Sequence, residues 1–242
     1  RHRIRRGDEP MSPQMTPEFD TLSALLHRRH SCRAFTDRPV ARTQIERIIA
    51  TAGRVPSWCN AQPWQVCVTS PAETLKFGSA LREHMQTAGL SPDFDFPSGY
   101  SEVRKDRRKA CGIQLYQSVD IAMGDKDAAR AQMQENFRFF GAPHVAVVTS
   151  AAELGPYGAV DCGAFVTAFT LAADALGVAS IPQAAVAGYA AFVHEYFDLA
   201  PDRRMVCAIA FGYADTAHPI NGFRTARAPL DEIITWHGED HP

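Results

Sequence analysis

Two arginine-rich segments carry side chains suited to an anion. Arg28-Arg29-His30-Ser31-Cys32-Arg33 places three guanidinium groups, an imidazole and a hydroxyl within six residues. Guanidinium forks grip phosphate oxygens two at a time, and a hydroxyl adds a neutral donor. The same cations would also complement the negative end of a helix finishing there, and the residues alone leave both readings open. Arg224-Thr225-Ala226-Arg227-Ala228-Pro229 again sets two arginines around a hydroxyl. The two clusters would suit one phosphate, but nothing in their spacing shows that they meet.

A third segment, Pro56-Ser57-Trp58-Cys59-Asn60-Ala61-Gln62-Pro63-Trp64, mixes hydroxyl, amide and indole groups. A flat heteroaromatic ligand needs such hydrogen-bonding edges beside stacking faces; a structured turn with Trp64 in the core is the alternative. Cys59 has no base near it in sequence, which argues against a thiol nucleophile. A fourth segment, Ile181-Pro182-Gln183-Ala184, follows Gly177 in an extended stretch. The nine histidines show no H-E-x-x-H pattern, and no G-x-G-x-x-G or Walker loop occurs, so no metal, Rossmann or P-loop site is expected.

These segments must be held by an alternation of helices and a few strands. Apolar spacing predicts a helix over Phe19–Arg29, then a short extended piece at Arg33–Phe35. Thr43 and Glu46 read as a capping box for a second helix ending at Gly53. Strands are expected at Trp64–Thr69, His144–Thr149 and Val206–Gly212. Ser70-Pro71 starts another helix, two polar helices flank Gly124, and an apolar helix spans Asp161–Leu176. Gly89–Ser101, with two prolines and two glycines, reads as a long loop. Few scattered strands among many helices indicate an α+β fold.

The 242 residues (26.6 kDa), 45% hydrophobic and 21% charged, describe a globular chain and exclude wholesale disorder. Residues 18–242 are read as one domain, with 1–17 as an extension. Net charge is −2, so a general affinity for nucleic acid or an anionic membrane is not expected, and any anion site must be local. The six cysteines are widely spaced and read as free thiols, mostly buried. No uninterrupted run reaches the ~20 apolar residues of a membrane span. No apolar segment follows Arg1–Arg6, so a secretory signal is not expected. A cytoplasmic protein is the expectation.

In order, R-R-H-S-C-R-A-F, P-S-W-C-N-A-Q-P-W, P-Q-A, F-G-Y-A-D and N-G-F-R-T-A-R-A-P-L resemble the FMN-dependent nitroreductase family, from Phe19 to Trp236. The stretch Asn136–Pro143 further resembles its nitrobenzoate-reductase branch. The resemblance implies a small central sheet wrapped by helices, in an intertwined homodimer with a C-terminal arm and two FMN sites at the interface. It assigns Arg29, His30, Ser31, Arg33, Arg224 and Arg227 to the FMN phosphate end. Pro56, Ser57, Trp58 and Asn60 would approach the isoalloxazine from the partner, and Pro182, Gln183 and Ala184 would line its N5 edge. Trp58 and Cys59 depart from the smaller or more polar residues common there, which makes Trp58 a candidate for shaping the acceptor site.

The implied reaction is ping-pong: NADPH or NADH reduces FMN, then a nitroaromatic or quinone-like small acceptor takes the electrons. No catalytic side chain is assigned. Arg104, Lys105, Arg107 and Arg108 would suit a nicotinamide 2′-phosphate, or form a solvated helix face. Two alternatives accompany this reading: another reaction on the same scaffold (reductive dehalogenation, enone reduction, flavin fragmentation), and a non-catalytic FMN-binding protein.

Overall fold

The structure, a computed structural model, describes residues 16–238. The extension expected over 1–17 lies outside the described residues except for Thr16, which caps the first helix, and Pro17, which begins it. In chain order the elements are α1 (Pro17–Arg28), α2 (Arg42–Ala52), β1 (Gln65–Val68), α3 (Pro71–His84), α4 (Glu102–Gln117) and α5 (Lys126–Gln134). There follow β2 (His144–Ala151), α6 (Gly155–Ala175), β3 (Ala179–Gln183), α7 (Ala184–Ala187), α8 (Ala190–Tyr196) and β4 (Arg203–Gly212). The four strands form one antiparallel sheet in the order β1-β2-β4-β3, giving an α+β fold.

Both faces of that sheet are covered. Side chains alternate across a strand, so Val145 and Val147 of β2 join a core with Phe77, Leu81, Phe139 and Val193. Ala146 and Val148 point the other way, into a core with Ile48, Phe165 and Phe169. Each fully buried large apolar side chain contributes about 1.5–3 kcal/mol. The β2–β4 register jumps from Val148↔Cys207 to Thr149↔Met205, leaving Val206 as the unmatched residue of a bulge.

Local chemistry sets most boundaries. Thr16 caps α1, Ser70 caps α3 by accepting the Glu73 N–H, and Asp125 caps α5. The capping box expected at Thr43 does not form: the helix starts at Arg42 behind Ala41, placing Thr43 inside the first turn, and Glu46 instead pairs with Arg42 at 2.8 Å. Helix α6 begins six residues before its expected start because Gly155, at φ +50°, turns the chain directly into it. Gly158 lets α6 press on β2, since a Cβ there would collide with Ser150 Oγ.

One helical span, Ala152–Ala175, is long and apolar enough to cross a membrane by length and composition alone, but it holds no uninterrupted apolar run of the length a span needs. Glu153, Asp161 and Asp174 interrupt its apolar run, which is why no such span was evident. Its Cys162, Phe165, Phe169 and Ala173 are core residues against the sheet.

Candidate functional site

The segment after α1 is extended and joins the sheet edge. Ser31 bridges Ser180 of β3, Cys32 N–H donates to Ser180 O at 3.2 Å, and Phe35 bridges Ala214. Cys32 and Ala34 are buried, and strand alternation therefore turns Ser31 and Arg33 to the opposite side.

Near the other end of the chain, Asn221 joins this segment. Its Oδ1 accepts the Arg33 N–H at 2.8 Å, and its Nδ2 donates to Ala34 O and Asp215 O, each at 2.9 Å. Its own carbonyl accepts from Arg224 Nη1 at 2.8 Å.

The two arginine clusters thus meet around a cavity of about 560 Å³ lined by Arg29, His30, Ser31, Arg33, Arg224 and Arg227, with Cys111 of α4 and Phe223 alongside. Among the described residues, none of these four arginines has a carboxylate within ion-pair distance, whereas Arg28 pairs with Asp174 at 2.8 Å. The first cluster therefore divides: Arg28 binds an acidic neighbour, and the others face the cavity.

His30 completes the cavity's electrostatics. Its Nδ1 lies 3.3 Å from Arg28 O, while its Nε2 is buried without a partner. Burial first, then the charges of Arg224 and Arg29, push its pKa below the usual histidine value. Four guanidinium groups lacking acidic partners, a serine hydroxyl and an unsatisfied imidazole nitrogen fit a phosphate-bearing cofactor.

Pro56, Ser57, Trp58 and Asn60 do not line this cavity in the same chain. Their segment is knotted: Ser57 Oγ accepts the Gln62 N–H at 2.9 Å, and Asp161 Oδ2 of α6 accepts the Trp58 N–H at 3.0 Å. Cys59, Asn60 and Gln62 are left-handed, with φ of 50°, 58° and 48°; such residues cost roughly 1–2 kcal/mol each where no local hydrogen bond compensates. Trp64 stacks on Phe165 at 5.5 Å beside the core, so the packing alternative holds for that tryptophan. Buried Arg203 anchors the segment's end, donating to Pro63 O at 2.6 Å and Thr149 O at 2.7 Å.

Pro182, Gln183 and Ala184 form the junction of β3 and α7. Gln183 is buried, its Nε2 donates to Asn136 O at 2.8 Å, and its Oε1 is unpartnered. Asn136 belongs to the N-F-R-F-F-G stretch, whose Phe139 and Phe140 are left-handed and buried in the core. From Ser180, beside Ser31, β3 runs about 10 Å to Gln183.

On α4, Arg107 pairs with Glu232 and Arg108 lies 5.4 Å over the Tyr100 ring. The thiols are free, and burial pushes Cys32 and Cys162 up to about 11 and Cys207 to about 12, which leaves them unreactive. The residues that sequence reasoning missed are Asn221, Tyr157, Asp161 and Arg203. Asn221 stood within the N-G-F-R motif, but nothing linked it to residue 33; the other three act through contacts distant in sequence.

Known proteins share this sequence pattern and fold. A model described as the nitroreductase family matches residues 26–213. Over 220 residues the chain is 34% identical to nitroreductase NfnB of Mycolicibacterium smegmatis, covering 89% of this chain and 94% of that one. It is 29% identical over 229 residues to a 4-nitrobenzoate reductase of Nocardioides sp., covering 93% of both. The crystal structure of FMN-dependent NfnB from Mycobacterium smegmatis in complex with NADPH superposes with a TM-score of 0.86 at 32% identity, over 90% of this chain and 99% of that one.

Proposed function

The chain belongs to the nitroreductase family, and from that premise we propose how it works as an FMN-dependent oxidoreductase that uses NAD(P)H to reduce nitroaromatic acceptors. The observation that carries the reading is the cavity in which Arg29, Arg33, Arg224 and Arg227 converge without acidic partners.

Arg29, Ser31, Arg224 and Arg227 hold the FMN phosphate, and His30 sits among them. Arg33, fixed through its own backbone by Asn221, would add a permanent positive charge to the same phosphate-holding set. When bound, FMN supplies the hydride and electron chemistry. Pro182, Gln183 and Ala184 border its ring, and no side-chain acid or nucleophile is assigned.

Pro56, Ser57, Trp58 and Asn60 serve the site of a second copy. Apolar residues stand exposed on α1 (Phe19, Leu22, Leu26), on α6 (Val160) and along the C-terminal segment (Leu230, Ile233, Trp236). Such exposed apolar side chains suit a homodimer interface, with the C-terminal segment as an arm around the partner. Six free thiols and a nicotinamide-dependent reaction suit the reducing cytoplasm.

The test is air-free mixing of the purified yellow protein with NADPH or NADH. The reading expects the flavin to bleach and then to re-oxidise on adding a nitroaromatic. A flavin that never bleaches favours a binding protein; one that bleaches but passes no electrons to nitroaromatics or quinones favours another reaction on this scaffold. Chromatography of the denatured protein identifies the flavin, and FAD as the major species overturns the phosphate-site assignment.

A further inference from the structure

Helix α6 holds Trp58 at two points. Asp161 Oδ2 accepts the Trp58 main-chain N–H at 3.0 Å, and the Tyr157 ring lies 5.6 Å from the indole with a 38° tilt. Tyr157 and Asp161 are four residues apart in α6, so they lie one turn apart on one helix face.

Core formation does not account for this arrangement. Trp58 is 64% exposed and Tyr157 65% exposed, so their contact leaves two broad aromatic faces uncovered. Trp64, six residues later, shows the contrast: it stacks on buried Phe165 against the core. The backbone behind Trp58 is left-handed at Cys59 and Asn60, a conformation that persists only where surrounding contacts impose it. The Asp161 carboxylate and the Ser57 hydroxyl supply those contacts.

We infer that Tyr157 and Asp161 determine acceptor specificity by locking Trp58 into a fixed two-ring wall that favours flat nitroaromatics and rejects non-planar ones. The inference rests on the proposed placement of the Pro56–Asn60 segment at the acceptor site. A flat ring gains offset stacking on such a wall. A twisted ring needs the indole to swing aside; Asp161 fixes the backbone from which the indole springs, and the Tyr157 ring beside the indole resists the swing. Both residues act through Trp58, so they are positioning residues.

The experiment compares kcat/KM for flat nitrobenzene and twisted 2-nitrobiphenyl in the FMN-loaded enzyme. Trp58→Gly, Tyr157→Ala and Asp161→Ala are each expected to shift the ratio toward 2-nitrobiphenyl, by about tenfold. Tyr157→Phe keeps a ring and Asp161→Asn keeps an acceptor oxygen, so both retain the wild-type ratio. Trp58→Gly combined with Tyr157→Ala goes no further than Trp58→Gly alone. Tyr157→Leu, which keeps bulk without stacking, repeats the Tyr157→Ala result if the alanine variant is poorly soluble. A wild-type ratio in the Tyr157 and Asp161 variants, alongside a shifted ratio in Trp58→Gly, overturns the inference and leaves the site assignment standing. An unshifted ratio in Trp58→Gly overturns the placement of the segment itself.

Discussion

Asn221 accepts the Arg33 main-chain N–H on its side-chain oxygen at 2.8 Å, across a separation of 188 residues. The same side chain donates to Ala34 O, and the Asn221 main-chain carbonyl accepts from Arg224 Nη1. One residue therefore ties the two arginine clusters together. Replacing Asn221 by Leu leaves the Arg33 N–H without its partner, a loss of about 1–3 kcal/mol, whereas Ala34 O still accepts the Asp215 N–H at 3.0 Å. The expected outcome is a lower melting temperature together with FMN lost on dialysis, although Asn221 itself does not line the cavity. A destabilised variant that keeps stoichiometric FMN would show that the clusters need no such tie.

Arg227 has the opposite profile. Among the described residues its guanidinium bonds only to its own neighbours, Thr225 and Ala226, so its loss should barely affect folding. One charge-assisted phosphate contact is worth about 1.5–3 kcal/mol, or tenfold to over a hundredfold in affinity. Arg227→Ala should weaken FMN binding by that factor in a fluorescence titration while its melting temperature in the flavin-free state matches wild type.

Acid should weaken the flavin-free protein through His30. Burial and the Arg224 and Arg29 charges lower its folded pKa, so the unfolded chain binds more protons as the pH falls. Stability from this residue is complete above the unfolded pKa of about 6.5 and is lost as the pH falls through the lowered folded value. His30→Gln removes that dependence. Subtracting its melting-temperature profile from the wild-type profile between about pH 5 and 8 should leave a difference that grows toward acid; a flat difference would show that His30 has the same pKa folded and unfolded.

Gly158 and Ser150 form a mutually dependent pair. A Cβ at residue 158 would meet Ser150 Oγ where α6 lies on β2. Gly158→Ala should cost about 1–3 kcal/mol through overpacking. Adding Ser150→Ala opens the space and should recover most of that loss, which chemical denaturation of the double-mutant cycle measures directly.

Much of this architecture was legible in the chain. Ser70 and the apolar period of α1 marked real helices, and the apolar run at His144–Thr149 marked a central strand. The capping box at Thr43 was not real, because an arginine that pairs with Glu46 starts the helix one residue earlier. Helices α7 and α8 gave too short a period to recognise. Arg29 and Arg227 stood out by type as candidate phosphate ligands, but their segments are tied together through Asn221, and a single asparagine near a turn carries no mark of a partner 188 residues away. Tyr157 and Asp161 were hidden for a related reason: their helix reads as core, and only its outward face touches Trp58.

Light scattering should find a dimer at every concentration at which flavin is retained. If the exposed apolar strips on α1 and α6 and the C-terminal segment close on a second copy, melting temperature rises with protein concentration, because unfolding and dissociation are coupled. An FMN-loaded, active monomer would refute the shared site.

The bond between Arg33 and Asn221 also dictates when the protein can acquire its cofactor. A nascent chain that has emerged only as far as the sheet already contains the first arginine cluster, yet it lacks the residue that fixes that cluster and both arginines opposite it. Contacts of such long sequence separation form late in folding, and domains are made from the N-terminus at only about 5–20 residues per second. On the proposed phosphate site, chains that end before residue 221 cannot assemble it, and flavin binding awaits Arg224 and Arg227.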